Sequence, residues 1–293
     1  MSGWFRTLRR WCAALVAVPI ACFLAVPAVA ADPQQCFRVF DATLYIDKPD
    51  LRPRGLEPAN VFEPDRWWPK GPHDDDLPDP SAPQTWIRTI TAKQGVLVLD
   101  LERWWLRGED APVQEAMRRY ITVFDWIRAA GYSAPMGYYG TLPTYNPPDA
   151  VQSVNSPGYA AWRKENDRVQ PLADRVDILF PSLYTESEDV EGWVKLATAT
   201  LREARRLAHG KPVFPFIWPQ YAGAKPPLGL KYMPGSQWAR ELEVVGANAD
   251  GVVIWGGIAA SKEAGPSKWD ESYPWWQATL AFLARHKACS SAL

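Results

Sequence analysis

Short apolar runs of strand length recur along the chain, and most are followed by a longer stretch with helical spacing. The runs are Arg38–Ile46 (RVFDATLYI), Gly95–Leu101 (GVLVLDL), Ala134–Gly140 (APMGYYG), Asp177–Tyr184 (DILFPSLY), Pro212–Trp218 (PVFPFIW) and Asp250–Gly256 (DGVVIWG). Runs that are apolar on both faces suit parallel strands buried beneath helices. The more polar Gln84–Ile90 (QTWIRTI) is a further strand candidate. Between the runs, Ala111–Ala130 sets Val113, Met117, Tyr120, Ile121, Phe124 and Ile127 at spacings of three and four, and Gly131 follows as a stop. Segments 158–175, 190–209, 236–246 and 274–287 read as further helices. This alternation predicts a parallel α/β fold. Six or seven such units fit a (β/α) TIM-like barrel, distorted, with about seven strands. An open doubly wound sheet is the alternative, but no glycine-rich phosphate loop follows any run. Residues 49–83 break the pattern with nine prolines and the pair Trp67-Trp68, which predicts a long loop.

The 293 residues carry 32 basic and 33 acidic side chains, so no basic excess points to a nucleic-acid partner. Sixteen Trp and eleven Tyr are many for this length. Most must pack, but flat aromatic faces also suit sugar rings. At the N-terminus, Arg6, Arg9 and Arg10 precede an apolar stretch, and Ala28-Val29-Ala30 forms a small-x-small site. Residues 1–30 therefore read as a signal peptide, with 31–293 as a single barrel domain in a secreted or periplasmic protein. Pro19 and Pro27 argue against an uncleaved anchor, and no later stretch is apolar enough to span a bilayer. Cys36 and Cys289 remain near the two ends of the mature chain. An oxidising compartment favours a disulfide between them over two free thiols. His73-Asp74-Asp75-Asp76 reads as a solvated acidic loop, and neither a metal nor an organic cofactor is implied.

In a barrel, chemistry gathers at the carboxyl ends of the strands. Here the apolar runs finish in Asp100-Leu101-Glu102, Tyr138-Tyr139, Tyr184, Trp218 and Trp255. Strand alternation puts Asp100 and Glu102 on one face, with Cα atoms about 6.6 Å apart. Two acids so close cannot both ionise cheaply, so one should keep its proton near neutral pH. A protonated carboxyl beside an ionised one suits glycosidic bond cleavage, although a structural acid pair or a metal site would share the spacing. The separation is tight for carboxylates on opposite faces of a sugar. It is better matched to a substrate whose own 2-acetamido oxygen attacks the anomeric carbon.

Five blocks, in order, resemble the animal hyaluronidase family of glycoside hydrolases. They are LVLDLERW (97–104), GYY (137–139), LFPSLY (179–184), VFPFIWPQY (213–221) and ADGVVIWG (249–256). The resemblance implies a distorted (β/α) barrel acting on a polysaccharide or oligosaccharide substrate with retention, through an oxazolinium intermediate. It implies Glu102 as general acid/base and Asp100 as the group that orients the acetamido group. Tyr139 and Tyr184 would line the reacting-sugar subsite, with Trp255 stacked beneath the sugar. Tyr138 and Trp218 are added as substrate contacts. Two positions depart from the pattern. Trp105 stands where the family tends to have Arg, and Gly257-Ile258 replace its polar residues. N-acetylhexosamine recognition is therefore better supported than hyaluronan recognition. A non-hydrolytic carbohydrate-binding barrel, or a hydrolase of chitin-like or peptidoglycan-derived glycans, are the alternatives.

Overall fold

A computed structural model describes residues 36–62, 77–81, 85, 87, 95–223, 228–258 and 267–286. All of them belong to one compact unit spanning Gln35–Leu293. Residues 1–30, expected as a signal peptide, the acidic run 73–76, the pair Trp67-Trp68 and Cys289 lie outside the described residues.

Six strands form one parallel sheet. They are β1 (Arg38–Thr43), β2 (Leu56–Phe62), β3 (Val96–Leu99), β4 (Met136–Tyr138), β5 (Phe216–Ile217) and β6 (Gly251–Gly256), in the order β4-β3-β2-β1-β6-β5. The segment after residue 177 joins the two outer strands. Tyr139 bridges Phe180, Leu179 bridges Val213, and Ser182 bridges Phe216, all in parallel. The ring therefore closes through seven strand positions, which rules out the open doubly wound sheet. The seventh position makes only isolated bridges. Pro181 on this segment, and Pro212 and Pro215 on its partner, have no N–H to give to a ladder.

Alternation sorts the side chains of every strand. Phe40, Ala42, Val96, Val98, Ile178, Phe180, Phe214, Phe216 and Val253 fill the interior of the ring. Val39, Leu97, Leu99, Met136, Leu179, Val213, Ile217, Val252 and Ile254 face outward into the layer beneath the helices. Two glycines let the backbones approach. A Cβ on Gly137 would stand 2.1 Å from the Ile178 carbonyl oxygen, and one on Gly251 would stand 2.4 Å from that of Arg38. At the strand starts, acids take up amide protons that the short ladders leave over. Asp177 accepts from the Met136 amide at 2.9 Å, and Asp250 from that of Val213 at 2.9 Å. Arg128 pairs with Asp177, and Arg205 with Asp250.

The main helices match their sequence periods. They are α1 (Asp110–Ala129), the one-turn α2 (Pro147–Ala150), α3 (Pro157–Arg168), α4 (Gln170–Arg175), α5 (Val190–Ala208), α6 (Gly235–Asn248) and α7 (Pro274–Arg285). On α5, Trp193, Ala197, Leu201, Ala204 and Leu207 form the buried stripe, and Asp189 caps the first turn by accepting from the Gly192 amide at 2.9 Å. Such a cap stabilises by about 1 kcal/mol.

Three expectations need correction. The stretch 158–175 is two helices, not one, because Val169 leaves helical geometry and Pro171 begins a new first turn. The proposed strand at Gln84–Ile90 fails at its described positions, since Thr85 and Ile87 are helical. The loop expected over 49–83 contains β2, whose sequence LEPANVF hides a strand behind Pro58 and Asn60. β2 pairs with β1 on one side and β3 on the other, and its neighbours impose the extended form that its composition does not advertise.

Candidate active site

Asp100 follows β3 directly, and its amide donates to the Phe62 carbonyl at 3.1 Å, continuing the ladder by one residue. That continuation carries the inward alternation past Val96 and Val98 to Asp100. The chain then leaves the strand, and Glu102 comes to the rim of the ring. The two carboxyl groups stand close enough to influence each other's ionisation. Desolvation raises the affinity of Glu102 for a proton above the usual range, while Asp100 opposes this by favouring the ionised form.

The same alternation brings other aromatic side chains to this rim. Tyr139 and Tyr184 lie with ring centroids 5.7 Å apart. The Tyr139 hydroxyl lies 3.0 Å from Ser182 Oγ. Burial pushes both phenols well above their ordinary range, so each keeps its proton as a donor. Trp218 meets Tyr184 edge-on at 5.4 Å and donates its Nε1–H to Gln220 at 3.0 Å. Trp255 is half-buried against the interior of the ring. Gly140 follows Tyr139 with φ +66°, and a Cβ there would stand 4.0 Å from Glu102 Oε2. The chain at the rim thus passes close to the acid.

Tyr138 does not join this group. It faces outward, is buried under α1, and donates its hydroxyl proton to the Tyr120 carbonyl at 2.7 Å. Adjacent strand residues point to opposite faces, so Tyr138 and Tyr139 could not both contact a ligand inside the ring. Trp104 is likewise buried, edge-on to Tyr120 at 5.1 Å, whereas Trp105 is 81% exposed.

A cavity of about 350 Å³ opens beside Glu102. Its walls include Tyr139, Ser182 and Tyr184 together with Trp105, Arg107, Thr141, Tyr145 and Glu186. Sequence reasoning passed over Ser182, although it lies on the inward stripe with Ile178, Phe180 and Tyr184. Arg107, Thr141, Tyr145 and Glu186 sit on loops beyond the strands, where no periodicity marks them. Among the described residues no group of three or more His, Cys, Asp or Glu could hold a metal ion. Among them, too, no helix is long and apolar enough to cross a membrane.

No family model matches the chain. Over 131 residues, 42% of its length, it is 31% identical to a hyaluronidase of Polistes annularis. The chain spans about a third of the length of that relative, 34%. In fold it resembles bee venom hyaluronidase, with a TM-score of 0.56 and 18% identity, over 85% of this chain and 97% of the other. A bee venom hyaluronidase in complex with a hyaluronic acid tetramer matches over the same extents, with a TM-score of 0.53 and 17% identity. In part of its sequence and in most of its fold, then, this chain is similar to the hyaluronidases and has their α/β barrel.

Proposed function

We propose that the protein is a secreted glycoside hydrolase that cleaves a β-linkage following an N-acetylhexosamine, by substrate-assisted catalysis with retention. The carboxyl pair Asp100–Glu102, at the rim of a barrel lined by Tyr139, Tyr184 and Trp255, carries this reading. Glu102, with its raised proton affinity, donates a proton to the glycosidic oxygen as the bond from that oxygen to C1 breaks. The acetamido oxygen bonds to C1 in the same step, giving an oxazolinium ion. Asp100 accepts the acetamido N–H, and the two phenols donate toward the acetamido oxygen. Glu102, now ionised, takes a proton from water. The hydroxide equivalent bonds to C1 and the ring opens back to the acetamide, which restores Glu102 to its acid form. Catalysis of this kind rests on donors fixed before the charge develops. A Cys36–Cys289 disulfide and removal of residues 1–30 belong to the same reading of an exported protein.

The test is reducing-end release from hyaluronan, chondroitin and chitin oligosaccharides by the purified domain, with Glu102→Gln alongside. Release that disappears in the variant, at unchanged thermal stability, is the expected result. Undiminished release by Glu102→Gln would refute the assignment, and binding without release in both proteins would favour a carbohydrate-binding barrel.

A further inference from the structure

The cavity beside Glu102 runs from Tyr139 and Tyr184 to Trp105, Arg107, Thr141 and Tyr145 on the loops beyond the strands, while Trp218 and Trp255 form no part of its walls. With the reacting sugar against the two phenols, the group it leaves behind must occupy the loop-lined part, because Glu102 protonates the oxygen that joins the two. That part has a distinct chemistry. Among its described lining residues the one cation is Arg107, and that cation is already engaged. Arg107 Nε donates to Glu165 at 3.0 Å, and its Nη1 donates to the Tyr145 carbonyl at 2.9 Å. The acidic lining residues are Glu102 itself and the exposed Glu186, whose charge lies near the Tyr145 hydroxyl. The rim offers two aromatic faces, Trp105 at 81% exposure and Tyr145 at 54%. Deeper in, the Thr141 hydroxyl is buried with no hydrogen-bond partner. A buried hydroxyl without a partner is costly, and a neutral polar group on a ligand would satisfy it.

We infer that the leaving-group side of the cleft takes an uncharged sugar, such as a second N-acetylhexosamine, and disfavours a uronate. The inference rests on the hydrolase reading above and names its substrate class. A carboxylate brought into this cavity would meet Glu186, with no free cation among the described lining residues to offset it. A neutral sugar would lay its apolar face on Trp105 and Tyr145 and offer hydroxyl or amide groups to Thr141.

The experiment compares kcat/KM on chitohexaose and on a hyaluronan hexasaccharide. Both contain N-acetylglucosamine, but the residue released from it is neutral in the first and a glucuronate in the second. The expected preference for chitohexaose is about tenfold or more at low salt, narrowing as salt screens the repulsion. In Glu186→Gln the ratio of hyaluronan to chitohexaose activity should rise several-fold, because the variant removes an exposed charge and spares the fold. Equal activity on the two glycans, or a ratio unmoved by Glu186→Gln, overturns the inference and leaves the hydrolase reading intact. Cleavage of neither glycan overturns both.

Discussion

Glu241 is fully buried on α6, and among the described residues no cation pairs with it. Its Oε1 accepts from Thr185 Oγ1 at 2.8 Å and from Gln237 Nε2 at 3.3 Å, while Oε2 has no partner. Burial pushes this carboxyl from the usual 4.5 up to about 8. Between those two pH values the folded protein holds a proton that the unfolded chain has lost. Stability therefore falls as pH rises through that window, and the contribution of the neutral form is gone above it. At about 1.4 kcal/mol per pH unit, the loss is on the order of 5 kcal/mol. Glu241→Gln keeps an acceptor for Thr185 and Gln237 but cannot ionise. Urea unfolding of both proteins at matched pH, from 4.5 to 8.5, isolates the effect, because other titrating groups cancel in the difference. The variant should gain on the wild type by a few kcal/mol across the range, whatever its offset at pH 4.5. Parallel stability curves would refute the argument.

Other consequences can be measured separately. Tyr138→Phe deletes a buried hydrogen bond away from the cleft and should cost about 1 kcal/mol in unfolding free energy while kcat stays unchanged. Tyr139→Phe should lower kcat by about tenfold or more with little change in melting temperature, and the reverse pattern would exchange the roles of the two residues. Gly137→Ala forces a methyl to within 2.1 Å of the Ile178 carbonyl oxygen and should prevent stable folding, as circular dichroism would record.

The fold was legible where the chain obeys one period at a time. The helix at α1, the strand at β6 and the inward stripe from Val96 to Asp100 follow from spacing alone. β2 was not legible, because its extended form is imposed by the strands on both sides and its own residues are half-buried, proline-containing and polar. The pair Asp100 and Glu102 could be read from alternation, whereas the expectation that Tyr139 and Tyr184 share a subsite came from the resemblance alone. Tyr138 was misplaced by counting an aromatic doublet as one feature when the pleat divides it. Arg107, Tyr145 and Glu186 converge on the cavity from three loops, and a convergence of loops leaves no trace in a periodic pattern.

The seventh position of the ring bears on how this protein would wear out. Ser182 and Tyr184 hang on the one segment whose neighbours hold it by scattered bridges instead of a continuous ladder. Its amides should be the first of the wall to exchange with deuterium. When that stave swings loose, the binding half of the cleft parts from the acid pair while the helices and the other six strands still stand. Heating should therefore silence the protein before it melts, and an inactivated sample would still look folded.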